Sequence, residues 1–347
     1  MKISNQSERK EILALFQKCR LFRKEKDFRD WVLKGYRNPN YLELKSYGQE
    51  YQGRIVYHIK EYGCSVGFFA EFLYSLIRLY FATDRGLVPY VDWGDNCLYY
   101  EEGGIRNEHN VFLYYFAPVS DVSSIARAAH VLEADQYHIQ EVQNCLNTYG
   151  YAVTDEYMNA LSGMIKKYIR YNKPIREYLE NGYRELIGDK RALAVHFRGT
   201  DYRRQYNNHP VFITVDQEIE KVKETFEAGN YEVIFLATDE QEAVEAFKRE
   251  FGSGLKYFDD TWRADRGDES VAYSNSKRKN HHYLLGLEVL RDQYMLTRCD
   301  GLVCGISNLT LSARMMRKAW YEKGYDDLVV LNHDLCHNDR HFCDAKH

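Results

Sequence analysis

Arg198, Asp201 and His209 are the residues whose types and spacing most directly suggest chemistry. Arg198 follows the apolar run Ala192-Leu193-Ala194-Val195-His196-Phe197. An arginine directly after a buried strand can offer a planar fork to phosphate oxygens, whereas a structural arginine more often lies on a helix face. Two further apolar runs also end in polar clusters. Val233-Ile234-Phe235-Leu236-Ala237 leads into Thr238-Asp239-Glu240, and Gly301-Leu302-Val303-Cys304 into Gly305-Ile306-Ser307-Asn308. Taken singly, Asp239 and Ser307 read better as helix caps than as ligands. Three such ends on one parallel sheet describe more: a crevice holding a cation, the hydroxyls of Thr200 and Thr238, and a helix N-terminus. That set suits a diphosphate, with Asn308 as an additional amide donor.

Alternating strands and amphipathic helices supply the frame that positions these residues. The pattern predicts strands at 192–197, 233–237, 255–258, 301–305 and 328–331, with helices at 215–228, 240–251, 284–297 and 307–318. Continuous apolar strands between helices predict a doubly wound, Rossmann-like domain. In the first half, Arg54-Ile55-Val56-Tyr57-His58-Ile59 reads as a strand. It runs through Gly63-Cys64-Ser65-Val66-Gly67 into a helix at 68–82 and then a second strand at 87–93, one βαβ unit. Residues 1–50 read as a charged, helical and loop-rich lead-in with Ile12, Leu13, Leu15 and Phe16 as its apolar stripe, and residues 123–187 as mostly helical. The expected domains are therefore 1–188, on the acceptor side, and 189–347, which binds the nucleotide sugar.

Composition narrows the class. A 347-residue chain with 45% hydrophobic and 28% charged residues is a folded globular protein long enough for two α/β domains. A formal charge of −4 gives no general affinity for nucleic acid or anionic membrane. The 30 tyrosines could stack on sugars, although half-buried packing is their commoner use. Eight scattered cysteines without metal-type spacing predict reduced, mostly buried thiols; the Cys336-His337…His341…Cys343 tail fits no standard zinc site. Met1-Lys2-Ile3-Ser4-Asn5-Gln6 lacks a secretory apolar core, and the stretch 67–82 is interrupted by Glu71 and Arg78. These features predict a soluble, cytoplasmic protein, at most peripheral to the inner membrane. No Gly-x-Gly-x-x-Gly follows the 192–197 or 233–237 strands and no Gly-x4-Gly-Lys-Ser/Thr occurs, which argues against a dehydrogenase and excludes a P-loop enzyme.

The three clusters together resemble the donor-site motifs of the fucosyltransferase superfamily that includes the α1,6-, α1,2- and protein O-fucosyltransferases, above all the α1,6 and nodulation-factor branch. That family's His-x-Arg-Arg-Thr-Asp is similar to His196-Phe197-Arg198-Gly199-Thr200-Asp201, and its Ala-Thr-Asp-Asp to Ala237-Thr238-Asp239-Glu240. Its third motif resembles the run from Asp292 through Cys299-Asp300 and the 301–304 strand to Ser307-Asn308. Gly63, Cys64 and Gly67 are similar to its N-terminal glycine turn. The resemblance implies an α/β, GT-B-like fold of two Rossmann-like domains facing across a cleft. It also implies metal-independent, inverting transfer of fucose from GDP-fucose, with no further cofactor, to a glycan hydroxyl. Arg198 would bind the diphosphate, His196 and Asp292 would lie around guanine and ribose, and Ser307 and Asn308 would contact the phosphates.

Two departures qualify this. Gly199 replaces the second arginine of the first motif. The downstream Lys and Glu of the α1,6 enzymes are absent from Tyr202-Arg203-Arg204-Gln205-Tyr206. Asp201 and His209 remain as alternative bases, and Arg203 or Arg204 as the replacement cation unless that stretch is simply a solvated loop. A transferase using another nucleotide sugar, and a non-catalytic nucleotide- or glycan-binding protein, are the competing readings. The acceptor expected for a cytoplasmic enzyme of this kind is a lipid-linked or soluble oligosaccharide in bacterial surface-polysaccharide assembly.

Overall fold

A computed structural model describes residues 6–19, 42–63, 66–134, 146, 153–265, 270–332 and 334–340 of the chain. It divides into two compact units, one built mainly from residues before Tyr171 and the other from Tyr171 onward.

In the first unit, helix α1 (Gln6–Lys18) buries Ile12, Leu15 and Phe16 of the predicted stripe, and Leu13 is half-buried. The predicted βαβ unit is present as β2 (Val56–Lys60), α2 (Phe68–Arg85) and β3 (Val88–Asp92), with β2 and β3 parallel. Two short strands were not expected. β1 (Leu42–Lys45) and β4 (Val131–Ala134) give the sheet order β1-β4-β2-β3, with β4 parallel to β2 and antiparallel to β1. The stretch 123–187, expected to be mostly helical, holds α4 (Asp155–Tyr168) and α5 (Lys173–Leu186) among its described residues, but it begins with a 3-10 turn (Ile125–Arg127) and the unexpected strand β4. A four-residue strand containing Glu133 has too little apolar periodicity to announce itself; its burial comes from lying between β1 and β2. A short helix, α3 (Val111–Tyr115), is capped by Asn110.

The second unit contains α5 and a parallel sheet of β5 (Ala192–Phe197), β6 (Val233–Thr238), β7 (Leu255–Lys256), β8 (Gly301–Cys304) and β9 (Leu328–Val330). Helices α6 (Val215–Ala228), α7 (Gln241–Phe251), α8 (His281–Arg298) and α9 (Asn308–Tyr321) alternate with the strands. The order β7-β6-β5-β8-β9 is the doubly wound one, so the direction of winding reverses between β5 and β8. Every residue of β5 and β6 is buried, which explains their unbroken apolar sequence. Ala192 and Ala194 face a core with Met295 and Leu296 of α8, while Leu193, Val195 and Phe197 face one with Val222 of α6 and Phe247 of α7. Truncating a fully buried phenylalanine such as Phe235 or Phe247 would cost roughly 3–5 kcal/mol. Among the described residues, Cys19, Cys97, Cys299, Cys304 and Cys336 are free and buried. No described helix is long and apolar enough to cross a membrane.

Candidate functional site

Because β5 pairs with β6 on one side and β8 on the other, all parallel, the three polar strand ends lie side by side at one edge of the second unit's sheet. They are tied together directly. The Gly199 backbone N–H donates to Asp239 Oδ1 at 3.0 Å and the Thr200 hydroxyl donates to Asp239 Oδ2 at 2.6 Å, joining the end of β5 to that of β6. The Tyr202 hydroxyl donates to the Ile306 carbonyl at 3.3 Å, joining it to the end of β8.

Arg198 sits at the centre. Its Nη2 donates to Asp201 Oδ1 at 2.7 Å and lies 3.4 Å from the Ser270 hydroxyl, Nε is 3.3 Å from Asp239 Oδ2, and the guanidinium covers the Tyr202 ring at 5.4 Å. Burial disfavours its charge, but Asp201 and Asp239 outweigh that and hold Arg198 more firmly protonated than a free arginine. Nη1 makes no bond among the described residues, so one edge of the fork is left for a ligand. Asp239 is thus an anchor of the turn and of Arg198, more than a helix cap.

Gly199 and Arg203 acquire a structural explanation that the sequence did not offer. A Cβ at position 199 would fall 2.8 Å from Glu240 Cδ, so nothing larger than glycine fits. Glu240 is 1% exposed and both its oxygens lie 2.6 Å from Arg203 Nη2. The turn therefore places two guanidinium groups, Arg198 and Arg203, against three carboxylates, Asp201, Asp239 and Glu240. Arg204 turns instead toward the Tyr206 hydroxyl at 3.0 Å.

The other predicted residues distribute as follows. Strand alternation puts His196 on the α8-facing side of the sheet, where it is 4% exposed. Burial, reinforced by Arg198, pushes its pKa down to about 3, so it is neutral, and its Nδ1 has no hydrogen-bond partner. Asp292, on α8, is also buried with Oδ1 unpartnered; burial pushes its pKa up to about 7 against the opposing charges of Arg263 and Arg291. Unpartnered buried polar atoms recur nearby in sequence on Arg263, Arg278 and His282. Native proteins rarely strand so many polar atoms, and a polar ligand is one reason to do so. Thr238 accepts from the Glu240 backbone N–H at 3.3 Å.

Ser307 proves to be a cap: its hydroxyl accepts from the Thr310 backbone N–H at 3.2 Å, and the Thr310 hydroxyl accepts from the Ser307 N–H at 3.0 Å. What α9 offers an anion is its positive end and the half-buried Asn308 amide. His209 lies 5.6 Å from the Tyr206 ring and 6.3 Å from the Tyr202 ring, and burial lowers its pKa despite the nearby Asp201. Gly63 follows β2 and Gly67 directly precedes α2; Cys64 lies outside the described residues. Gly63 adopts φ +144°, which side chains avoid. Beside it, burial pushes the Glu71 pKa up to about 8 although its carboxylate accepts the Tyr62 N–H at 2.9 Å.

Two contributors carried little or no sequence signal. Asn332, two residues after β9, accepts from the Ile306 N–H at 2.6 Å and donates to the Val211 carbonyl at 2.9 Å, fixing the loop before α9. The segment 334–340 pairs with 207–211 through Asn208 to Cys336 at 2.8 Å, Cys336 to His209 at 2.8 Å and Val211 to Asp334 at 3.1 Å. An asparagine ending an apolar strand was a usable cue; nothing in the tail's composition marked it as a support for the His209 loop. Among the described residues no three His, Cys, Asp or Glu side chains converge as metal ligands.

No family model matches the chain, and no curated protein sequence matches it. Solved structures do. The NodZ alpha-1,6-fucosyltransferase soaked with GDP-fucose is 17% identical, covering 76% of this chain and 92% of its own, at a TM-score of 0.45. Fucosyltransferase NodZ from Bradyrhizobium is 16% identical over 75% of this chain and 92% of its own, at a TM-score of 0.42. POFUT1 in complex with GDP-fucose is 10% identical over 82% of this chain and 99% of its own, at a TM-score of 0.47.

Proposed function

We propose that this chain is an inverting, metal-independent glycosyltransferase that moves a sugar, fucose from GDP-fucose, onto a glycan hydroxyl. The observation that carries the reading is Arg198. It is a charged guanidinium with Nη1 uncommitted, at the edge of a doubly wound sheet where the winding reverses, beside the positive end of α9. A diphosphate leaving group develops charge as the sugar departs, and a preorganised cation with backbone N–H groups stabilises that charge without reorganising. The unpartnered atoms of His196 and Asp292 suit the nucleoside end of the same donor. The preference for GDP-fucose rests on the order of the four motifs.

In this mechanism the acceptor oxygen attacks the anomeric carbon from the face opposite the diphosphate. The bond from that carbon to the phosphate oxygen breaks, GDP leaves with the electron pair, and the acceptor proton passes to a base. We assign the base to His209. Its lowered pKa keeps it neutral and able to accept a proton, whereas Asp201 is already paired with the Arg198 guanidinium at 2.7 Å.

Thermal-shift measurements with GDP, UDP, ADP and TDP, each with and without sugar, test the donor. GDP and GDP-fucose should raise Tm in proportion to the logarithm of concentration. A response selective for another base would overturn the GDP assignment, and no response to any diphosphate would overturn the site. Conversion of GDP-fucose with glycan acceptors, followed by NMR of the anomeric product, tests inversion; GDP binding without transfer to any glycan would assign the chain as a binding protein. His209→Gln should lower kcat, and the wild-type rate should fall as pH drops through the lowered pKa of His209.

A further inference from the structure

Gly199, where the first motif departs from the resemblance, and Glu240, which ends the second, face each other. A side chain at 199 would collide with Glu240, whose Cδ and Cβ would lie 2.8 and 3.1 Å from the new Cβ. Glu240 in turn is sealed from solvent, 1% exposed, and receives Arg203 on both oxygens at 2.6 Å. Arg203 reaches in from the surface, with its guanidinium 5.0 Å over the ring of Phe212, which packs on the core below. The three residues form one unit: Gly199 leaves the space, Glu240 fills it and Arg203 neutralises it.

We infer that Arg203 and Glu240 are a latch that positions the Arg198 turn, and that Arg203 is not a ligand of the donor phosphates. The second clause follows from desolvation. For Arg203 to swing to a phosphate it would have to abandon a carboxylate with no access to water. Stranding a buried charge costs more than an exposed cation–phosphate contact returns. The first follows from connectivity. Arg203 lies on the same 3-10 turn as Asp201, Glu240 follows Asp239, and those two aspartates hold Arg198. The latch therefore clamps to the end of β6 the turn whose fork must be aimed. Arg203 is a positioning residue, and a surface arginine next to a phosphate site is here committed inward.

The statement about phosphates rests on the proposed donor site, but the latch itself does not, and the test separates them. Tm without ligand and GDP affinity by calorimetry are measured for Arg203→Met, Glu240→Gln and the double variant. Arg203→Met alone should lower Tm by several degrees and weaken GDP about tenfold or more. The double variant should recover both, to within about threefold in Kd, because it leaves no stranded charge. Gly199→Ala should destabilise the wild type and be tolerated when Glu240 is also alanine. If the double variant binds GDP as poorly as Arg203→Met, Arg203 is a phosphate ligand and the inference fails. Unchanged Tm and Kd in Arg203→Met also overturn it. If Arg203→Met does not fold, the double variant alone decides, by its Kd relative to wild type. A parent protein that binds no GDP would sink the functional reading while leaving the Tm comparison to judge the latch.

Discussion

Two polar clusters of similar composition sit one in each unit, and they are finished to different degrees. In the first unit Glu133 receives Tyr47 at 2.6 Å and His58 at 3.2 Å on one oxygen, and Lys45 at 2.8 Å and Lys60 at 3.1 Å on the other. His58 uses its second nitrogen on Asp92 at 3.0 Å, so all four strands of the sheet are stitched together through His58 and two carboxylates, Glu133 and Asp92. In the second unit, by contrast, Arg198 Nη1 has no partner among the described residues and its Nε meets Asp239 as an ion pair without a hydrogen bond, and His196 on β5 and Asp292 on α8 carry unpartnered atoms. A cluster that satisfies itself is a structural device, whereas one that stays incomplete at high burial is waiting for a partner.

Substitution should break that comparison cleanly, and the largest effect belongs to the finished cluster. Glu133→Ala leaves His58 facing Asp92 alone and two lysines without their acceptor, and should cost about 3–5 kcal/mol of stability, read by denaturant titration. Its effect on GDP affinity, measured on folded protein, should be negligible. Arg198→Ala should do the reverse. GDP affinity should fall by about 100-fold, near 3 kcal/mol, while stability changes less than in Glu133→Ala. Arg198→Lys keeps the charge but loses the fork, and should recover only part of the affinity. Equal stability losses with equal affinity losses in both sites would erase the distinction.

The pH dependence of stability sharpens it further. Burial raises Glu71 to about 8 and Asp292 to about 7 in the folded protein, above their unfolded values, so the native state binds these protons more tightly. Stability then falls as pH rises through that interval. His58 acts in the same direction: burial opposes its charge, but the hydrogen bonds to Asp92 and Glu133 outweigh this and raise its pKa. Its contribution is present below its unfolded pKa and is lost as pH rises through the folded value. Glu133 acts oppositely and far lower. Its pKa is depressed by donors that overcome burial, so its contribution is lost only as pH falls below the usual glutamate range. Tm should therefore rise between pH 8 and pH 6 and collapse in acid. Glu71→Gln should flatten the upper slope by more than about 1 kcal/mol, while GDP should compete with the Asp292 share alone.

What could be read in advance follows the same division. The second unit's strands were legible because each is buried on both faces and therefore unbrokenly apolar, as Val233–Thr238 shows. That Arg198, Asp239 and Ser307 lie side by side was legible because each follows one of those strands. β1 and β4 were not, since each is four residues long and β4 carries Glu133, whose burial depends on partners from β1, β2 and the residue Tyr47 beyond β1. Glu240 entered only as the last residue of the run similar to Ala-Thr-Asp-Asp, yet its side chain is what fills the space above Gly199. Such pairing is a property of two positions about forty residues apart, and no local pattern reports it.

Ser307 shows how far a strand-end hydroxyl can be trusted. Its position, at the end of β8 and before α9, admits a phosphate ligand as well as the helix cap that its sequence favours. Geometry separates the roles: both the hydroxyl and the N–H of Ser307 are exchanged with Thr310 in a reciprocal capping box, and the hydroxyl is 6% exposed with its residue. Ser307→Ala should thus cost about 1 kcal/mol of stability, the ordinary worth of a cap, seen as a small fall in Tm. GDP affinity should change by no more than about threefold, because the helix end still presents its positive dipole and Asn308. A large affinity loss with an unchanged Tm would return Ser307 to the donor and make the second cluster more nearly complete than its hydrogen bonds indicate.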